Sequence, residues 1–182
     1  EFVKKVYGYD DLYYVPRDVT AKIDAWTKDK LFLYDNKYGR NWSRLLESIK
    51  NVVEQKGINL LILDNLMTLD LDAFSGDKNE KQSAFVNSLA DLAKQANIHI
   101  VLVAHPRKSL TFLRREDIGG SGDITNLADN VYIIHRCNKD FEKRAPEFLG
   151  IEEVTKIMQY DGYSNVVEVC KNRFIGSVDN IF

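Results

Sequence analysis

The 182-residue chain holds only two cysteines and three histidines. Cys137 and Cys170 are far apart, with no CxxC pair and no histidine at ligand spacing, which argues against a disulfide framework or a zinc site. Two lone cysteines in or near apolar runs fit a reducing interior. No apolar run approaches the roughly 20 residues needed to span a bilayer, and Glu1-Phe2-Val3-Lys4-Lys5 carries no signal-peptide pattern. A soluble, cytoplasmic protein without a membrane partner is expected. Charge of one sign is also lacking: 25 Lys and Arg face 27 Asp and Glu, for a net charge of −2. No global basic field advertises nucleic acid, so such a partner would have to be met by local clusters. Finally, no Gly-Lys pair occurs anywhere. This rules out the G-x-x-x-x-G-K-[S/T] loop that cradles β- and γ-phosphates.

What is present is a 45% hydrophobic chain, enough for one globular domain over residues 1–182 with a real core. Its organising stretch is Ile58-Asn59-Leu60-Leu61-Ile62-Leu63-Asp64-Asn65, an apolar run closed by an acid. Such a run reads as a strand covered on both faces, hence one of a parallel sheet. Before it, no firm element is expected in the tyrosine-rich residues 1–17. A short helix is expected over Asp18 to Lys28 and a strand over Leu31-Phe32-Leu33-Tyr34. A helix follows from about Asn41, with Leu45, Leu46, Ile49, Val52 and Val53 as one stripe, Asn41 or Ser43 as cap, and Gly57 as its end. After it, Phe85, Val86, Leu89, Leu92, Ala93 and Ala96 mark a helix from about Glu80 to Ala96, closed by Asn97. Ile98 to Ala104 is a second buried strand. Strand, helix and strand with short connections predict a βαβ unit, whose right-handed crossover brings Asp64 and His105 to one edge. Beyond Gly119-Gly120-Ser121-Gly122-Asp123, a short helix to Ala128 and strands at Val131–Ile134 and Tyr163–Val169 are expected. Residues 137–165 read as charged and irregular, with a short helix near Ile151 to Met158.

Ligands of parallel sheets bind at the carboxyl ends of the strands, where Asp64 falls. A carboxylate there can hold magnesium or its waters beside a nucleotide; the plainer reading is a turn cap. His105 is open to two readings, a packed structural histidine or a neutral imidazole donating to a phosphate oxygen. Arg107, Lys108, Arg114 and Arg115 sit on a polar loop of about a dozen residues. They are ordinary surface charge or, since long loops in compact domains are usually functional, contacts to a phosphate backbone. The GGSGD turn is either a tight strand-to-helix entry or an anion nest.

Five motifs in register carry a resemblance over about residues 30–180: Leu60-Leu61-Ile62-Leu63-Asp64-Asn65, Leu102-Val103-Ala104-His105-Pro106-Arg107-Lys108, Gly120-Ser121-Gly122-Asp123-Ile124, Leu127-Ala128-Asp129-Asn130 and Lys171-Asn172-Arg173-Phe174-Ile175-Gly176. The series resembles the RecA-like helicase domain of the DnaB, Twinkle and phage primase–helicase class, with His105 pointing to the Twinkle and phage branch. The resemblance implies an α/β fold with a mostly parallel RecA-like sheet and helices on both faces. It implies a truncated P-loop NTPase core, a C-terminal portion whose P-loop and catalytic Glu precede residue 1. It implies a ring-forming, hexameric replicative helicase that uses ATP and magnesium and translocates on single-stranded DNA. Asp64, with Asn65 beside it, resembles the nucleotide-binding Walker B end, which orders magnesium through water. His105 resembles the γ-phosphate sensor. The Arg107–Arg115 loop, with Lys108 and Arg114, is similar to the DNA-gripping channel loop. Lys171 and Arg173 match the pair inserted into a neighbour's ATP site, a role suited to a guanidinium. The alternatives are a non-helicase RecA-like ATPase of recombinase or clock type, and a non-catalytic assembly module.

Overall fold

The structure, a computed structural model, describes residues 4–5, 8, 13–35, 37, 39–106, 112–118, 122–159, 164–174, 176 and 180–181. A two-residue antiparallel pair, β1 (Lys4–Lys5) and β2 (Tyr13–Tyr14), precedes helix α1 (Arg17–Thr27). Helix α1 fills the stretch expected to be helical, yet it buries none of its residues, and Trp26 stays 68% exposed. Leu31–Tyr34 corrects the sequence reading: these residues join no strand, and all four are exposed. Apolar and aromatic character makes a strand only where a neighbouring strand offers a ladder.

The βαβ unit forms as read. Helix α2 (Trp42–Lys56) starts where the Asn41 side chain accepts the Arg44 N–H. It ends at Gly57, whose φ of 62° is the left-handed turn glycine adopts without a Cβ clash. Strand β3 (Leu60–Asp64) runs into a 3₁₀ turn at Leu66–Thr68. Helix α3 (Lys78–Ala96) opens on a reciprocal capping box between Asp77 and Glu80 and closes on Asn97. Strand β4 (His99–Val103) then pairs with β3 in parallel, Leu61 opposite Ile100, Leu63 opposite Leu102 and Asp64 opposite Val103. Leu63, Phe85, Leu89, Leu92 and Ile98 form the main core with Trp42, Leu45 and Ile49 of α2. Phe85 is fully buried and meets the Trp42 ring edge-on at 4.6 Å. Alternate residues of the pair face the other way: Leu60 is 49% exposed, Ile62 61% and Val101 39%. Among the described residues the pair is therefore covered on one face, not on both.

The second half departs further from the sequence reading. After a 3₁₀ turn at Arg115–Asp117 and helix α4 (Asp123–Leu127), strand β5 (Asn130–Arg136) leads into α5 (Lys139–Arg144), α6 (Pro146–Leu149) and α7 (Ile151–Gln159). The region read as irregular is thus largely helical. Asn138 caps α5 through the N–H groups of Asp140 and Phe141, and Pro146 starts α6. Strand β6 (Asn165–Asn172) ends three residues later than expected from the sequence, at Asn172 instead of Val169, and β7 (Asn180–Ile181) flanks it. The β5–β6–β7 sheet is antiparallel, so the described strands hold one parallel pair and two antiparallel sheets. The mixed helix-and-strand architecture is α/β, but the mostly parallel sheet is replaced by small separate ones. Phe112, Phe141, Ala145, Val154 and Val166 form a second core over β5 and β6.

Candidate functional site

The parallel register sets the first group of residues. Asp64 ends β3 opposite Val103, and the chain beyond each strand turns towards one edge. There the Asn65 and His105 side chains meet, Nδ2 to Nε2, at 2.9 Å. The amide's orientation follows from its other bond, since Asn65 Oδ1 accepts the Met67 N–H at 3.0 Å. The NH₂ group therefore faces His105 and donates, Nε2 accepts, and the neutral ring carries its proton on Nδ1. The free donor of His105 is thus fixed by a residue forty positions away in sequence. Asp64 is exposed, with no side-chain partner among the described residues. A free carboxylate at a strand end fits a water-mediated hold on magnesium, a cation that keeps several waters and takes few protein ligands. No group of three His, Cys, Asp or Glu forms a metal cage among the described residues.

The second group lies at the far end of β6. A bulge between Val131 and Tyr132 sets Lys171 opposite Val131, while Glu168 pairs with Ile133 and Val166 with His135. Cross-strand partners share a face. The extra residue, Cys170, therefore brings Lys171 onto the same inward face as Glu168, three positions before it. Lys171 Nζ donates to the carbonyls of Thr125 at 2.9 Å and Asn126 at 2.7 Å. Arg173 donates to Asp129 Oδ1 at 2.7 Å and reaches Asn126 O at 3.4 Å. Both cations thus occupy the carbonyl end of α4, where unpaired C=O groups favour positive charge. Burial pushes the Lys171 ammonium below the ordinary lysine range, the charges of Arg173 and Arg115 add to this, and Asp129 opposes it.

Of the four loop cations, Arg107 and Lys108 lie outside the described residues. Arg115 is exposed, with Glu116 at 3.9 Å. Arg114 is not free surface charge: its guanidinium meets Glu168 Oε1 at 3.2 Å and lies over the Phe148 ring. Glu168 is 1% exposed and also takes a 2.7 Å hydrogen bond from His135 Nε2. Burial alone would raise the Glu168 carboxyl, but the His135 bond and the Arg114 charge outweigh it and hold it below the usual range. Sequence reading missed Glu168 and His135. The signal was present: each sits in period with the apolar residues of its strand, Val166 before Glu168, Val131 and Ile133 before His135. A charged residue at an inward position needs a partner.

The family model for the DnaB-like helicase C terminal domain matches residues 15–180. The chain belongs to that family, and so to the helicases of DNA replication. Comparison with curated proteins gives no match. Among the described residues no helix is long and apolar enough to cross a membrane.

Proposed function

We propose that this chain supplies part of the motor domain of a ring-forming helicase of the primase–helicase type, in which ATP hydrolysis at subunit boundaries drives movement along single-stranded DNA, and that without a phosphate-binding loop it is inactive by itself. The observation that carries the reading is the meeting of Asn65 and His105 beside Asp64 on one sheet edge. That edge offers a free carboxylate for the waters of magnesium and a histidine with its Nδ1 proton available to a phosphate oxygen. Bound there, magnesium would neutralise charge on the transferred phosphoryl group. Asp64 orders the water shell, His105 reports the γ-phosphate to the chain that follows it, and Arg107, Lys108 and Arg115 hold the DNA backbone. Lys171 and Arg173 serve a neighbouring subunit's nucleotide. In that role they exchange the α4 carbonyls for phosphate oxygens, and a trans-acting Arg is worth about 10³–10⁵ in rate.

Mixing subunits tests this. Full-length protein carrying Asp64→Asn is combined with protein carrying Arg173→Ala, and ATPase activity is followed against the ratio. An Asp64→Asn subunit still lends its Arg173 to an Arg173→Ala neighbour, so mixed rings are expected to recover turnover that neither variant shows alone. Absence of recovery at every ratio, with co-assembly demonstrated, defeats the reading.

A further inference from the structure

Arg114 follows in sequence the segment that carries Arg107 and Lys108. Two residues of this stretch dock side by side on the β5–β6 sheet. Phe112 stacks flat on His135, ring centroids 4.2 Å apart at 8°, and its other neighbours are Phe141 and Phe148. Arg114 pairs with Glu168 at 3.2 Å and covers Phe148. His135 and Glu168 are themselves bonded at 2.7 Å, so the two anchors share one buried pair. The Arg114 N–H donates to Asp117 Oδ2, starting the 3₁₀ turn, and Ile118 bridges to Pro106 just past His105. The chain is thereby clasped on both sides of residues 107–111: by the Pro106–Ile118 bridge and by the Phe112–Arg114 dock.

We propose that Arg114 is a positioning residue for single-stranded DNA binding, and that Glu168 and His135 are the seat that holds it. This rests on the reading that the segment between His105 and Arg115 contacts DNA. A phosphate that drew the Arg114 NH1 donor away from Glu168 would leave a carboxylate that is 1% exposed with His135 as its remaining partner. Removing one partner from a buried carboxylate is costly, because the group stays out of water with less to compensate it. Holding Arg114 in place costs nothing of that kind, and it fixes where the DNA-facing cations begin. The same strand carries Lys171 on the same face as Glu168, so the seat also ties that segment to the strand bearing the Lys171–Arg173 pair.

The salt dependence of single-stranded DNA affinity separates the two roles in the full-length protein. Each lost phosphate contact lowers the slope of log affinity against log salt by roughly 0.7 for single strands. If Arg114 positions, Arg114→Ala weakens oligothymidine binding about tenfold with the slope unchanged. Glu168→Gln then does the same, and the double variant is no weaker than the worse single one. If Arg114→Ala lowers the slope by about 0.7 while Glu168→Gln does not, Arg114 is a phosphate contact and the proposal is overturned. Unchanged affinity in both variants overturns it as well. Arg114→Ala, with a side chain already 37% exposed, carries the test alone if Glu168→Gln does not fold. The triple variant Arg107→Ala, Lys108→Ala, Arg115→Ala tests the underlying reading separately. Unaltered affinity and slope there remove the DNA role of the whole segment, and Arg114's with it, whereas a lowered slope leaves the positioning claim to be decided by Arg114→Ala.

Discussion

The parallel pair β3–β4 and the antiparallel pair β5–β6 put their charged groups in opposite places. In the first, every inward position is aliphatic, and the polar residues that matter gather at the strand ends, Asp64 as the last residue of β3 and Asn65 and His105 just beyond. In the second, His135 and Glu168 lie inside the strands, buried, and their partner comes from a loop. The difference separates two uses of charge. A group past a strand end is wet, replaceable without loss of fold and free to meet a ligand. One inside a strand must be paired before the sheet is stable, so it fixes what pairs with it. Function and stability are therefore expected to respond in opposite ways to substitution in the two regions.

The largest expected effect is on turnover in the first region. Asp64→Asn in the full-length protein is expected to cut ATPase activity by about 10³-fold or more, through lost stabilisation of charge on the phosphoryl group. Because Asp64 is exposed and unpartnered among the described residues, its removal is expected to move stability by no more than about 0.5 kcal/mol. Steady-state kinetics and a thermal melt together decide it; a mutant of near-normal activity reduces Asp64 to a turn cap. Next in size is the core beneath. Phe85→Ala removes a fully buried ring packed on Trp42 and Phe74, at a cost of about 3–5 kcal/mol by denaturant titration. The matching deletion in the other sheet, Ile134→Ala, takes a side chain that is 67% exposed and is expected to cost far less.

Glu168 sharpens the contrast by pH. Its carboxyl is held below the ordinary glutamate value of about 4.3. A carboxyl depressed on folding contributes stability that is complete above the unfolded value and lost as pH falls through the folded one. Stability of the wild type is therefore expected to decline on acidification below about pH 4.3, and Glu168→Gln is expected to flatten that limb. At neutral pH the same change is expected to cost about 1–3 kcal/mol, since it weakens bonds to both His135 and Arg114. Urea titrations at a series of pH values read both numbers; an acid limb of equal steepness in the variant shows that other carboxyls dominate it.

The first region was legible from the sequence because its signals are local. An unbroken apolar run, a capped amphipathic helix and a second run define a βαβ unit, and the crossover rule alone brings Asp64 and His105 together. The second was not, because its determinants are long-range. Whether Val131–Ile134 pairs in parallel or antiparallel depends on β6, which lies beyond three helices. The role of Arg114 depends on Glu168, 54 residues on. Residues 137–165 look irregular by composition, since their helices are short and amphipathic only against Phe112 and Val166. Leu31–Tyr34 failed in the other direction: strand-like residues formed no strand for want of a neighbouring ladder.

The smallest expected effect is also the most local test of the sheet edge. Asn65→Asp keeps the oxygen that accepts the Met67 N–H, so the 3₁₀ turn at Leu66–Thr68 retains its cap. Loss of stability is expected to stay under about 1 kcal/mol. What changes is the partner offered to His105. The amide donates to Nε2, whereas an ionised carboxylate only accepts, so the ring must then carry its proton on Nε2 to keep the bond. Nitrogen NMR of the His105 ring distinguishes the tautomers directly, and the proton is expected to move from Nδ1 in the wild type to Nε2 in the variant. A ring that donates to phosphate through Nδ1 loses that donor in the exchange, so ATPase activity is expected to fall without a matching change in fold. If the ring nitrogens report the same tautomer in both proteins, Asn65 does not set the proton of His105, and the edge loses its claim to be a prearranged phosphate sensor.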